Sequence, residues 1–208
     1  MQPRQSYHHG NLREALVEAA LDLIEERGPH AFTLAEAARR AGVSAAAPYR
    51  HFKGRDDLLE EVARLGYEAF AARVVKAYGD GGPDPLAALA RVGRAYFEFA
   101  LEHPGHYTVM YNGKLEIDES AVLAAESGRA FAVLLQAIAA LLDYLPEDQR
   151  PPARLVANHI WAMSHGIVEV FARNPKFPGG VGAALDMLNS CVLTYLRGLG
   201  LVGPRPQA

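Results

Sequence analysis

The sequence predicts an all-α protein, and three observations carry that prediction. Apolar residues recur at spacings of three and four in nearly every long segment, alternating strand patterns are absent, and the separators are short Gly- and Pro-containing stretches that stop helices. Half of the 208 residues are apolar, enough to bury a substantial core in one or two small domains.

The first helix is expected to begin near Leu12. Leu12, Leu16, Ala19, Ala20, Leu23 and Ile24 form one apolar stripe, Glu14, Glu18, Asp22 and Glu25 face away, and Gly28-Pro29 ends the segment. The next stretch, TLAEAARRAG, carries its own limits: Thr33 followed by Glu36 is a capping box, and Gly42 is placed to end the helix in a left-handed conformation. Ser44 follows at once and can cap a further helix. Residues 34–52 therefore read as two short helices joined by a tight turn, a helix-turn-helix. Pro48 falls about one turn after Ser44, where its missing N–H costs less than in mid-helix but can shift where the second helix starts.

Further helices are expected at about 56–78, 84–103, 105–113, 119–145, 152–174 and 180–199. Their separators are GDGGPDP (79–85), His103-Pro104-Gly105, LPEDQRPP (145–152) and NPKFPGG (174–180). The expected organisation has about nine helices: a three-helix head over residues 1–55, and a bundle over residues 56–208 whose first helix is the connection.

Charge divides along the same line. The net charge of −3 argues against a protein whose whole surface grips nucleic acid, yet residues 1–55 hold eight Lys/Arg against six Asp/Glu, and residues 56–208 hold thirteen against eighteen. Between residues 33 and 55, Arg39, Arg40, Arg50, Lys53 and Arg55 face only Glu36, a local basic patch on an acidic chain.

Several other functions find no support. The longest apolar run, AFAVLLQAIAALL (130–142), is interrupted by Gln136, falls short of a bilayer span and reads as a buried helix. The stretch MQPRQSYHHGNLRE lacks the apolar core and cleavage site of a secretory signal, and the single Cys191 allows no internal disulfide, so no membrane association and a cytoplasmic location are expected. GLGLVG (198–203) matches a dinucleotide-binding glycine pattern, but no strand precedes it and no helix follows. His8-His9, His103 with His106, and His159 with His165 have no metal-ligand spacing, and no serine or cysteine sits in a nucleophile elbow. Cys191 reads as a small buried hydrophobe. Neither a cofactor, a metal nor an enzymatic activity is expected.

Residues 7–59 resemble the DNA-binding domain of the TetR (tetracycline-repressor-like) family of bacterial transcriptional regulators. TLAEAARRAGVSAAAPYRHFKGRDDLL (33–59) carries the features in order: a capped second helix, the Ala-Gly-Val-Ser turn, the aromatic pair Tyr49 and Phe52, then Lys53 and a charged helix start ahead of Leu58 and Leu59. The resemblance implies phosphate contacts at Thr33, Tyr49, His51, Lys53 and Arg55, the last near the N-terminus of the helix over 56–78, whose dipole favours an anion. It also places Ala45, Ala46 and Ala47 at base-contact positions. With Ser44 and Arg50 these complete the expected DNA-contacting set. Methyl groups cannot read donors and acceptors, although they pack on a thymine methyl, so specificity is expected from Arg50, from methyl contacts, from an N-terminal arm through Arg4, His8 or Asn11, and from DNA shape. Tyr49 also fits core packing, Phe52 reads as core rather than contact, and Arg39 and Arg40 also fit a solvated helix face.

The C-terminal half resembles the subgroup marked by a Trp/His/Gly signature, through WAMSHG (161–166) and HPGHYTVMY (103–111). Trp161 and His165 lie four residues apart on one helical face. With Tyr96, Tyr107, Met110, Tyr111 and Phe131 they are the expected lining of a pocket for a largely apolar or aromatic small-molecule effector; His165 also fits a structural role. The resemblance implies that a bound effector shifts the helix over 56–78, alters the spacing of two heads and releases DNA, which requires differential affinity for the two spacings. One head reads few base pairs, so a homodimer on a pseudo-palindromic operator in double-stranded DNA is expected. The helices at about 152–174 and 180–199 are apolar over more than one face and suit a four-helix dimer interface, the alternative being a thicker monomer core. A helical small-molecule-binding protein without DNA function is the rival reading, and it leaves the capped double helix and its basic patch unexplained. Repression is expected over activation, because a bound dimer can block transcription without touching polymerase.

Overall fold

The computed structural model describes residues 12–115 and 120–203, and among them every regular element is helical. The helices are α1 (Leu12–Arg27), α2 (Leu34–Arg40), a 3-10 turn (Ala47–Arg50), α3 (Arg55–Tyr78), α4 (Pro85–Glu102), α5 (Pro104–Asn112), α6 (Ala121–Leu142), a short 3-10 turn (Glu147–Gln149), α7 (Ala153–Ile167) and α8 (Gly180–Gly198). The proposed arm residues Arg4, His8 and Asn11 lie outside the described residues.

Two compact units divide these elements. The first takes the chain as far as Tyr67 together with His103–Ala124; the second takes Glu68–Glu102 and the chain from Ala125 onward. The expected boundary at residue 55 thus falls inside the first unit, because the start of α3 and all of α5 pack with the head.

In the first unit, Leu16, Ala20, Leu23 and Ile24 of α1 are buried with Phe32, Ala37 and Ala38 around α2, Phe52 from the recognition segment, and Leu58, Leu59 and Val62 of α3. The amphipathic stripe read along α1 is the face that enters this core. Helix α5 lies close against α3: a Cβ on Gly66 would stand 2.8 Å from Met110 Sδ, so a residue without a side chain permits the approach. Tyr67 donates its hydroxyl to Met110 O at 3.0 Å, and burial pushes its pKa up to about 12. His106 Nδ1 meets Val62 O at 2.9 Å, and burial lowers the pKa of that ring.

The second unit is a helical bundle. Leu89, Val92, Tyr96, Phe97 and Phe99 of α4 are buried, as are Ala137, Ile138 and Leu141 of α6, Val156 and Ile160 of α7, and Leu188 and Leu196 of α8. Phe70 packs edge-on against Tyr96 at 5.6 Å and tilted against Phe99 at 5.2 Å. The helix expected over 152–174 is not uniform. After Ile167 the backbone widens into a π-helical segment, Val168–Ala172, bridged by the Arg173–Glu169 ion pair at 2.9 Å. A widened turn of this kind is common at functional sites.

Candidate nucleic-acid interface

Helix α2 is built as its sequence dictates. Thr33 Oγ1 accepts the Glu36 N–H at 3.2 Å while the Glu36 carboxylate accepts the Thr33 N–H at 2.9 Å, so two orphan donors are satisfied reciprocally. Those bonds to Thr33, with a further one to Arg27, hold the Glu36 carboxyl below its usual range. At the other end Gly42 sits at φ 74°, its N–H donating to Arg39 O at 3.1 Å and the Val43 N–H to Ala38 O at 3.0 Å. That pair of bonds is a complete Schellman closure.

The recognition segment departs from expectation. In place of a second α-helix capped by Ser44, residues Ala47–Arg50 form a 3-10 turn that follows Ala46, with no side-chain cap. The Ala47 N–H donates to Ser44 O at 3.0 Å, and the His51 and Phe52 N–H groups both donate to Pro48 O, at 2.8 and 2.9 Å. An α-helix starting at Ser44 would need an N–H at residue 48 to reach Ser44 O; Pro48 has none, and its ring disfavours the helical conformation at Ala47. The proline thereby shifts the start of the element and tightens it.

The turn exposes some expected residues and buries others. Pro48 is buried and Phe52 is 1% exposed, with the Arg13 guanidinium 4.8 Å above its ring, so Phe52 is core. Tyr49 is 62% exposed, which removes the core reading for it. Ser44, Ala45, Ala46, Arg50, His51 and Lys53 are exposed and Ala47 is half-buried. Phe32, Thr33, Leu34, Tyr49, Lys53, Gly54, Arg55, Asp56 and Asp57 line one concavity of about 530 Å³. Four of the five residues expected at phosphates, Thr33, Tyr49, Lys53 and Arg55, come together there.

The basic patch is smaller in three dimensions than in sequence. Arg40 is held by Glu26 at 2.7 Å and by Asp22 at 3.5 Å, which raises its own pKa and lowers that of Glu26. It braces α2 against α1. Arg55 is bound to Asp56 at 2.8 Å and donates to His30 O at 3.2 Å, so it is partly committed to holding the loop before α2 onto α3. Arg39, Arg50 and Lys53 have no ion pair among the described residues. Sequence reasoning missed the two acids in this concavity. Asp57 accepts the Lys53 N–H at 2.8 Å and orders the entry to α3, and the Asp56-Asp57 pair in a first helical turn was the available signal.

The residues expected to bind an effector divide between the two units. Tyr107, Met110 and Tyr111 belong to the first, where the rings of Tyr107 and Tyr111 lie 4.8 Å apart and Tyr111 meets Tyr67 edge-on. Tyr96, Phe131, Trp161 and His165 belong to the second. There Trp161 stacks on His165 with ring centroids 5.6 Å apart, and His165 Nδ1 shares a 3.0 Å hydrogen bond with the Tyr96 hydroxyl. Burial lowers the His165 pKa. Phe131 lies beneath the Arg154 guanidinium.

A capped α2, a Gly-containing turn, and an exposed recognition turn that carries Arg50 and runs into Lys53 define a helix-turn-helix DNA-binding protein. Comparisons with known proteins place it more narrowly. The model for bacterial regulatory proteins of the tetR family matches residues 16–62, and the model for the tetracycline-repressor-like C-terminal domain matches residues 89–189. An uncharacterised HTH-type transcriptional regulator of Mycobacterium tuberculosis is 29% identical over 156 residues, 75% of this chain and 68% of that one. The HTH-type transcriptional repressor KstR2 of Mycolicibacterium smegmatis is 30% identical over 111 residues, 53% of each chain. Among solved structures, a protein from Rhodococcus sp. RHA1 has a TM-score of 0.73 at 27% identity, covering 93% of this chain and 98% of that one. The TetR-family regulator PfmR of Thermus thermophilus has a TM-score of 0.70 at 22% identity, covering 88% and 97%. The chain belongs to the TetR family. It is a transcriptional regulator with an N-terminal DNA-binding domain and a C-terminal ligand-binding domain.

Proposed function

We propose that the chain is a homodimeric repressor that grips a pseudo-palindromic operator through two heads and is released when a small, largely apolar or aromatic effector binds its C-terminal domain. The observation that carries the operator contact is the concavity where Thr33, Tyr49, Lys53 and Arg55 meet, with Arg50, which has no ion pair among the described residues, exposed on the turn next to it in the chain. Asp56 and Asp57 lie in the same hollow, but Asp56 is taken up by Arg55 and Asp57 by the Lys53 N–H, so the Tyr49 hydroxyl and the Lys53 ammonium remain suited to a phosphate, and such contacts fix the register of the recognition turn. His51, exposed at the end of that turn, joins them. Ser44, Ala45, Ala46, Ala47 and Arg50 then face the bases.

The dimer reading draws on α7, the π-helical segment after it and α8, which leave Leu155, Trp161, Val170 and Val181 exposed in a single chain. Pairing these helices across a two-fold axis would cover them. The effector reading draws on the Trp161–His165–Tyr96 cluster, where Trp161 stacks on a hydrogen-bonded His–Tyr pair. Phe131 joins that proposed lining, and the Tyr107–Tyr111 ring pair with Met110 remains in the proposal as a group of the first unit. A binding protein of this design needs no catalytic group, and it acts in the cytoplasm, where the operator is.

Selection from a random duplex pool tests the proposal. The expected product is a two-fold-symmetric site whose affinity falls steeply between about 50 and 200 mM salt. Lys53→Ala should weaken binding nearly uniformly across sequences and reduce the salt slope by about one. Enrichment of asymmetric sites only, or a salt-independent affinity, would sink it.

A further inference from the structure

We propose that the recognition turn selects operator positions by the C5-methyl group of pyrimidines, and therefore accepts 5-methylcytosine wherever it accepts thymine. The inference rests on the DNA-binding reading above. It goes further by naming the base feature that is read and a DNA modification to which operator binding responds.

The surface in front of the 3-10 turn is chemically sparse. Ser44, Ala45 and Ala46 are exposed, Ala47 is half-buried and Pro48 is turned into the core, so the leading edge offers methyl groups and one hydroxyl. A hydroxyl both donates and accepts, so Ser44 reaches either edge of a base pair without choosing between them. Arg50, at the far end of the turn, is the exposed side chain there with a fixed set of donors; bidentate contact to guanine O6 and N7 is its natural use. The alanines are left with one kind of partner, an apolar group in the major groove, and thymine alone of the four bases provides one.

Thymine and 5-methylcytosine carry that methyl at the same place. They differ at position 4, where thymine has an acceptor and cytosine an amino donor. Telling them apart takes a hydrogen-bonding side chain, and the alanine positions have none. A turn that separates thymine from cytosine by the methyl alone loses that distinction when the cytosine is methylated. Methylation would then create or extend operator sites.

The test modifies the DNA, so it does not depend on a variant folding. In the operator selected from the pool, each symmetry-related pair of thymines is replaced by uracil, which keeps the hydrogen-bonding edge and removes the methyl. At one or more pairs affinity should fall about fourfold per methyl, the worth of one buried methyl group. At the same pairs, replacing T·A by C·G should bind as weakly as uracil or weaker, and 5-methylcytosine should restore affinity to within about twofold of thymine. In the Ala45→Gly/Ala46→Gly protein the thymine-to-uracil ratio should collapse toward one, and a ratio taken on one preparation is independent of its folded fraction. Equal affinity for uracil and thymine at every position overturns the inference while the DNA-binding reading stands, as does 5-methylcytosine binding no better than cytosine. Failure to bind any duplex overturns both.

Discussion

Helix α2 and the recognition turn that follows it are both short, and each has a hydroxyl residue ahead of it, Thr33 next to α2 and Ser44 three residues before the turn, yet only one is an α-helix. Thr33 caps α2 through a reciprocal bond with Glu36. Ser44 caps nothing, and its carbonyl accepts a tight bond from Ala47 instead. One missing N–H separates the two cases. A capping residue works only if the donors it aligns exist, and Pro48 deletes the donor that an α-helical first turn would hand back to Ser44. The turn therefore takes its stability less from its own hydrogen bonds than from what holds its two buried residues, Pro48 and Phe52.

That contrast predicts an order of effects. The largest belongs to Phe52: truncation to Ala should cost about 3–5 kcal/mol of unfolding free energy, read from the denaturant midpoint. The ring is the turn's anchor between α1 and α3, and a loss under about 1 kcal/mol would mean the turn is held some other way.

Next comes the network above that ring. Arg13 lies over Phe52 and pairs with Glu61 at 3.0 Å, and Arg64 pairs with the same carboxylate at 2.7 Å. The Arg64 hydrogen bond foremost, and the Arg13 bond with it, hold the Glu61 pKa down to about 2. A depressed carboxyl stabilises the fold above its unfolded value near 4.5 and stops doing so as pH falls through the folded value. About 2 kcal/mol should vanish between roughly pH 5 and 2, allowing for screening at the exposed arginine. In Glu61→Gln protein that part of the acid limb should flatten, and an unchanged limb would assign the acid loss to other groups.

The caps sharpen the comparison further. Thr33→Ala should cost about 1 kcal/mol, and Gly42→Ala about 1–2 kcal/mol for placing a side chain at φ 74°. Ser44→Ala, the same deletion at the residue that looks equally like a cap, should change thermal stability by less than about 0.5 kcal/mol. A loss at Ser44 matching that at Thr33 would mean that Ser44 caps the turn in solution.

These residues also show what the sequence makes legible. Both ends of α2 could be read because a capping box and a left-handed glycine are decided within a few residues. The stripe on α1 was equally plain, since periodicity reports burial directly. The 3-10 turn was half legible: Pro48 announced a shift, but its size depended on Pro48 and Phe52 being drawn into the core together. The π-helical Val168–Ala172 left no local sign, because no proline or glycine lies within it to mark a break in the helix. The loss of Arg40 and Arg55 from the basic patch was hidden for a related reason. The partners of Arg40, Glu26 and Asp22, lie on another helix, and Asp56 read as a first-turn acid.

Pro48→Ala should have a net effect on stability near zero and the most direct bearing on the contrast. Restoring the N–H allows a bond to Ser44 O, worth about 0.5–1.5 kcal/mol. Against it stand the entropy returned to the unfolded chain, about 0.4–1 kcal/mol, and the apolar area lost from a buried ring. The sum should lie within about 1 kcal/mol of zero. The backbone should respond more than the stability does: residues 45–50 should move toward α-helix, and the new amide of residue 48 should be protected from hydrogen exchange. If that amide exchanges as freely as a loop amide, the tight turn is imposed by packing around Phe52 rather than by the proline. In that case the difference between α2 and the recognition turn is tertiary rather than local.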